Sequence, residues 1–457
     1  MQRNANNDVM YLRRVMMKIA KGIHFYINLR NYNSVILREI KAYDSCERSI
    51  HAIDTLFSSV ERYGEKHHRD TFHVEKITGG RLHLYVIDEV AKAFDVVQDV
   101  TCFAFNVAGL INKEIGKYRN LTDFEMQAAA DFGKFVSTEF SEEDYSEETS
   151  IGYVANFAAK LQAVTRVGRI SVSEDIYSEI NDSDRIYHKV FDPSLKKYGQ
   201  NCYYTAEVSD LMTLFEVRQG DVDDVIRYAN EVNLSEIRRK SVAGRIDFGL
   251  LSRTDCVEME GIPLYADIRG FTQKFDSDDD NLLEMVNKTV RTLGTMYRCT
   301  KNNNGVHIQF QGDRELALFY NNSDDNPCFQ DAVVAALRMI DEIKDPDFHI
   351  GVGADFGKIY AAKVRAREEK DKLLLGEAVI QAEIMEDKHA EQDQIAITKE
   401  VYDGLKQQNS VLAGIFKKNG KVYTTPLGYE DYLNRAETIR LRENTKNKTY
   451  NPAWRSW

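Results

Sequence analysis

Two aspartates stand out as residues that could do chemistry. Asp267 sits in Leu264-Tyr-Ala-Asp267-Ile-Arg-Gly270-Phe-Thr272, and Asp313 follows 46 residues later in Gln311-Gly312-Asp313. An Asp at a strand end, then a glycine turn and a helix start, brings backbone N–H groups and a positive helix terminus to one place, which suits phosphate. A second carboxylate from a hairpin tip, together with the backbone carbonyl of Ile268, makes that place rich in oxygen. Such a site suits Mg²⁺ or Mn²⁺, which take waters and substrate phosphates as their other ligands. Alone, Asp267 reads as a strand-end helix cap. Its conjunction with Gly270, Phe271, Thr272 and the Gly-Asp hairpin carries the chemical reading, and Tyr265 belongs to the same segment.

The elements that must hold these residues are legible around them. Ile262 to Ile268 is an apolar run that predicts a strand, and Leu282 to Tyr297 has helical apolar spacing. Val306 to Phe310 and Glu315 to Phe319 alternate around Gln311-Gly312-Asp313, which predicts a hairpin turning at the glycine. His349 to Tyr360 is strand-like with glycines, and Val379 to Lys388 is helical in pattern. Strands and helices interleave within one module, so the expected class is α+β with a mostly antiparallel sheet.

The module is written twice. Ala130-Asp131-Phe132-Gly133-Lys134 recurs 224 residues on as Ala354-Asp355-Phe356-Gly357-Lys358. Gly152 to Lys160 lies over Gly376 to Ile384, and Ile170 to Tyr177 lies over Ile395 to Tyr402. Toward the N-terminus Phe25 to Tyr32 matches Leu264 to Phe271, and Ile77-Thr-Gly-Gly80-Arg81 matches Phe310-Gln-Gly-Asp313-Arg314. The organisation expected from this is a lead over 1–19, a first copy over 20–210, a charged and mostly helical connector over 211–255, a second copy over 256–434 and a basic frayed tail over 435–457.

Composition narrows the classes. With 60 Lys and Arg against 72 Asp and Glu, the 457-residue chain carries a net charge of −12, which argues against a nucleic-acid backbone or an electrostatic membrane anchor as its main partner. Six scattered cysteines form no CxxC pair, so neither a disulfide framework nor a zinc cluster is expected. The N-terminus lacks an apolar core of the signal-peptide kind. Val96 to Ile111, broken by Asp99, reads as too short to span a bilayer. A cytoplasmic protein without membrane insertion is the expectation. His24, His73, His83 and His307 read as structural histidines, and Asp276 to Asp280, lacking an EF-hand glycine, as a solvated acidic turn.

The second copy, with its Asp267-x-x-Gly270-Phe271-Thr272 and Gly312-Asp313 motifs, resembles the catalytic domain of class III nucleotide cyclases, and the first copy does so more weakly. The resemblance implies two divalent ions, Mn²⁺ or Mg²⁺, held by Asp267, Asp313 and the Ile268 carbonyl. It also implies an Asn and an Arg four residues apart on one helix, acting on the transition state. The second copy has Ile380 and Ile384 there. The first copy has Asn156 and Lys160, but Asn28 and Gly80 replace its metal carboxylates. Family domains pair head to tail, so the resemblance implies that the two copies form that pair within one chain, with one complete site and one vestigial site. Lys replacing Arg keeps the charge and loses the bidentate fork. Arg365, Arg367, Lys196 and Lys197 fall near family positions that hold the outer phosphates.

At the family's base-reading positions this chain has Lys76 and Thr149, with Gln309 and Leu373 in the vestigial site. A lysine can donate to a ring nitrogen or carbonyl, and a threonine hydroxyl can accept from an exocyclic amine or donate to a carbonyl, so cytosine and uracil both remain open. The tandem layout is similar to the pyrimidine cyclases of bacterial anti-phage Pycsar systems, and its long form resembles the cytidylate cyclases among them. That implies CTP as substrate, cyclic CMP and diphosphate as products, and a separate effector protein that binds the cyclic nucleotide. The alternatives are a uridylate or purine nucleotide cyclase, and a module that senses nucleotide without turning it over. Oligomerisation beyond the internal pair is left open.

Overall fold

The computed structural model describes residues 17–142, 145–180, 186–234, 238–241, 246–252, 255–275, 279–321, 328–343, 345–364 and 371–438. Two sheets form from matching segments of the two copies. The first runs in the order Phe72–Thr78, Arg81–Val86, Lys18–Leu29, Met126–Glu142, Arg169–Val172, Cys202–Glu207, His188–Phe191. The second repeats it with Val306–Phe310, Arg314–Tyr320, Asp255–Ile268, Ile350–Ala354, Gln394–Ile397, Val422–Thr425, Lys417–Asn419. Along each of these paths the pairing is antiparallel except for one parallel step, Met126–Glu142 with Arg169–Val172 and Ile350–Ala354 with Gln394–Ile397. Helices cover the sheets, so the α+β expectation holds.

The repeat extends to single side chains. Burial raises the carboxyls of both Asp131 and Asp355, from the two Ala-Asp-Phe-Gly-Lys segments, and each hydrogen-bonds the hydroxyl at the start of the following helix, Ser173 or Thr398. Tyr177 stacks on Tyr204 at 3.6 Å, and Tyr402 on Tyr423 at 3.9 Å. Burial pushes Asp131 up to about 8. An acid raised in the folded state binds more protons folded than unfolded, so stability falls as pH rises from about 4 to about 8. Asp131→Asn should remove that loss. Its stability advantage over the parent should grow across this window at up to ~1.4 kcal/mol per pH unit. Urea midpoints at pH 5 and pH 7.5 would read this, and parallel shifts at both would refute it.

The halves interlock. In the first, Met126–Glu142 is one long strand that pairs antiparallel with Tyr145–Ile151, and this arm inserts Val136, Phe140 and Ile151 into the core of the second half. The corresponding arm of the second half, Gly357–Lys363 and Lys372–Leu375, places Tyr360, Ala362 and Leu375 in the core of the first. Each fully buried Val, Ile, Leu or Phe among these contributes roughly 1.5–3 kcal/mol. Phe140 meets Phe310 at 4.7 Å, Arg298 pairs with Glu142 at 2.7 Å, and Lys358 pairs with Asp44 at 3.0 Å.

Some expectations change. The apolar run belongs to a helix of 24 residues, Val90–Lys113, which is long enough to cross a bilayer, because flanking residues extend it at both ends. Val97, Val100, Phe103 and Val107 are buried in the first core, which accounts for its hydropathy. The connector is only partly helical. Its helix Gln219–Asn230 packs on the first half through Lys66–Asp221 at 2.7 Å and Tyr228–Asp54 at 3.1 Å. Its segment Arg238–Ser241 joins the second sheet as a parallel strand, in register with residues 255 to 258. The expected tail begins inside a helix that runs to 438, and residues 439–457 and 276–278 lie outside the described ones.

Candidate active site

A cavity of about 500 Å³ opens at the seam between the halves. The first half lines it with Lys76, Thr149, Asn156 and Lys160, and the second with Asp267, Thr272, Gly312 and Asp313. Each arrives for a local reason. The helix Tyr153–Val164 buries Val154, Phe157, Ala158 and Leu161, which leaves Asn156 and Lys160, four apart, to share the face toward the cavity. Asp267 lies one residue from the end of Asp255–Ile268. Asp313 lies in the hairpin turn whose Gly312 adopts a φ of 72°, a left-handed conformation open to glycine. The Ile268 amide donates to the Asp313 carbonyl at 3.4 Å, tying the two carboxylate-bearing segments together.

The two carboxylates are held in a costly state. Burial, then the charge of Asp313, holds the Asp267 carboxyl well above its ordinary range. Burial pushes Asp313 up to about 6, against the pull of Lys160 from the other half and of Arg314. Two hard oxygen donors whose negative charges repel each other suit a divalent cation, which relieves that repulsion. Asp267 and Asp313 are thus the residues that would hold it. The Asn156 Nδ2 is buried without a hydrogen-bond partner, a donor left for a ligand oxygen.

Behind the carboxylates lies a scaffold that sequence reading missed. Arg269 reaches Asp267 at 3.3 Å, contacts the Glu386 carboxylate, and donates to the backbone carbonyls of Glu386 at 2.6 Å and Ala390 at 2.8 Å. Arg314 pairs with Glu383 at 3.0 Å and Glu386 at 3.3 Å. This packing needs bare backbone in Ile350–Ala354. A Cβ on Gly351 would overlap the Arg269 guanidinium, and one on Gly353 would overlap the Glu386 amide. The only sequence signal was the alternation Gly351-Val-Gly353. The helical run expected over Val379 to Lys388 ends at Ile384 and continues as a π-helical turn, Met385–His389, which aims Glu386 inward.

At the end of the cavity where base contacts were expected, Lys76 pairs with Glu147 at 2.6 Å, both nearly buried. Glu75 takes a hydrogen bond from the Thr149 hydroxyl at 3.3 Å and from the Ser150 amide at 2.7 Å. A bulge between Val74 and Lys76 lets the consecutive residues Glu75 and Lys76 both line the cavity. The second copy has its bulge at the equivalent place, between His307 and Gln309.

A second cavity, of about 260 Å³, is lined by Asn28, Gly80, Gln309, Leu373 and Ile380 from the other set of counterparts, while Ile384 lines the larger cavity, which Ile380 also borders. A Cβ on Gly80 would sit 2.5 Å from that of Tyr32, so no carboxylate fits there without moving Tyr32. Not every expected residue reaches the larger cavity. Tyr265 opens into the smaller one, with the Arg314 guanidinium 4.7 Å above its ring. The Phe271 side chain packs into the second core against Phe275 and Phe348, because the turn at Gly270 directs it inward. The Ile268 side chain is also core. Lys196 and Lys197 are exposed on the short helix Pro193–Tyr198, outside the cavity lining. Arg365 and Arg367 lie outside the described residues.

No family model matches the chain. A curated relative, the uridylate cyclase of a Rhizobium species, is 21% identical over 274 residues, which is 56% of this chain and 51% of the relative. The match therefore spans about half the length of that relative. Among solved structures, a class III adenylyl cyclase-like ATP-binding protein from Pseudomonas aeruginosa superposes with a TM-score of 0.71 at 18% identity, covering 92% of this chain and 91% of that one.

Proposed function

From a chain that carries the class III nucleotide cyclase fold in tandem, we propose that it is a nucleotidyl cyclase, a phosphorus–oxygen lyase. It converts a pyrimidine nucleoside triphosphate, CTP first, into its 3′,5′-cyclic monophosphate and diphosphate. One observation carries this reading: a single cavity receives Asp267 and Asp313 from one half and Asn156 and Lys160 from the other. Random decay of two copies would not be expected to leave one complete set and gather it in one place.

In this reaction the substrate's 3′-hydroxyl attacks the α-phosphorus and diphosphate leaves in line. Asp267 and Asp313 would hold Mg²⁺ or Mn²⁺, two ions in this class, whose chemistry is to acidify the hydroxyl and neutralise the triphosphate. Lys160 supplies positive charge where the α-phosphate becomes more negative. Asn156, with its uncommitted amide nitrogen, orients the ribose. Lys76 and Thr149 contact the base. The meeting of this set at an interlocked seam holds the reacting groups without a separate dimerisation step.

Two other readings have support. The name of the Rhizobium relative favours UTP. Lysine in place of arginine at 160, together with the ATP-binding description of the Pseudomonas protein, favours nucleotide binding without turnover. The biological setting we propose is a cytoplasmic second-messenger synthase in anti-phage defence, signalling to a separate effector that binds the cyclic product. The test is to incubate purified protein with Mn²⁺ and each of the four NTPs separately and to resolve the products by mass. Cyclic CMP with diphosphate is the expected result. Cyclic UMP would keep the mechanism and change the base, and binding of every NTP without product would refute the enzyme.

A further inference from the structure

Resting on the cyclase reading for the substrate class, we propose that Glu75 sets base selectivity by committing the proton of the Thr149 hydroxyl. The site then selects bases that carry an exocyclic amine beside a ring acceptor nitrogen. A threonine hydroxyl has one proton to give and two lone pairs to offer, while a carboxylate oxygen only accepts. The Thr149 hydroxyl gives its proton to Glu75 Oε1 at 3.3 Å. The same oxygen is anchored by the Ser150 amide at 2.7 Å, so the acceptor is fixed by backbone. Glu75 and Thr149 are 7% and 8% exposed, and both line the cavity that holds Asp267, Asp313, Asn156 and Lys160.

With its proton spent, Thr149 presents only lone pairs to a ligand. Lys76, which lines the same cavity, is a pure donor, and its pairing with Glu147 at 2.6 Å occupies one of its three N–H groups. The wall therefore offers a donor next to an acceptor. Cytosine matches it with the N3 lone pair and the N4 amine, and adenine has the same pattern at N1 and N6. Uracil and guanine reverse it, with a ring N–H beside a carbonyl, and would set donor against donor and lone pair against lone pair. The choice between amine and carbonyl that Thr149 alone leaves open is thus decided by Glu75, a positioning residue from a different strand.

The test uses the full chain with Mn²⁺ and 3′-deoxy-CTP or 3′-deoxy-UTP, which lack the attacking hydroxyl, and measures affinity by calorimetry; turnover of CTP and UTP is measured in parallel. The parent should bind the cytidine analogue about tenfold more tightly, the scale of one net hydrogen bond. Glu75→Ala should reduce that ratio by about tenfold. Glu75→Gln, which keeps an acceptor oxygen for Thr149 and Ser150, should preserve it. Thr149→Val should lower the ratio as Glu75→Ala does, and the double variant should lower it no further. An unchanged ratio in Glu75→Ala, or a parent that binds the uridine analogue equally or better, would overturn the role of Glu75. Absence of turnover with the cytidine preference intact would remove the cyclase reading and leave this one standing.

Discussion

Asp313→Asn should abolish product formation, lowering kcat/KM by at least ~10³-fold, the scale of several kcal/mol of transition-state charge stabilisation. The reason is electrostatic. Asp313 is one of two carboxylates able to hold a divalent cation at the seam, and an amide carries no charge with which to do so. The folded state should not suffer. Burial pushes Asp313 up to about 6, so its ionised form is costly in the protein without metal, and the neutral isostere removes that cost. The thermal midpoint of the metal-free variant should therefore match or exceed that of the parent. Product formation that survives Asp313→Asn would refute the assignment, and a large drop in the midpoint would mean that lost activity reports lost folding instead.

Lys160→Ala should lower kcat by about 10²–10³-fold, the range seen when one preorganised stabilising group is removed from developing charge. Binding of substrate should change much less, because the charge on the α-phosphate grows mainly in the transition state. Lys160 belongs to the first half, while the carboxylates it faces belong to the second. Its loss thus tests whether the halves build one site together. Lys160→Arg should retain activity and raise kcat, since a guanidinium restores two parallel donors where an ammonium offers a point charge. Steady-state kinetics on the two variants, with the same NTP, would read both effects. Equal activity in Lys160→Ala and the parent would remove this residue from the mechanism.

Several features of the site were readable in the chain. The matched segments around Ala130 and Ala354 announced a duplicated α+β module. The Asp267 and Gly312-Asp313 motifs pointed to a pair of carboxylates, whereas Asn156 and Lys160 were picked out only by the resemblance to a family and by the repeat, since their spacing alone reads as an exposed polar helix face. These signals depend on residues close together in sequence, where strand alternation, helical period and turn glycines act directly. What the side chains of Tyr265 and Phe271 would do was not legible in the same way, because a motif names neighbours in the chain and only packing shows which of them the core takes.

The tertiary structure decided what depends on distant partners. That Asp313 and Lys160 face one cavity follows from two arms exchanged between halves, and no local pattern specifies that docking. The bulge at Glu75 breaks the two-residue alternation by which sequence assigns faces, so two consecutive residues line the site where alternation would turn one of them away. The pairs Lys76–Glu147 and Glu75–Thr149 join strands that lie far apart in the chain. Sequence by itself determined which chemical groups this protein possesses and how often its module occurs. Only the folded chain decided which groups meet and which protons are already committed, because those are properties of contacts made through space.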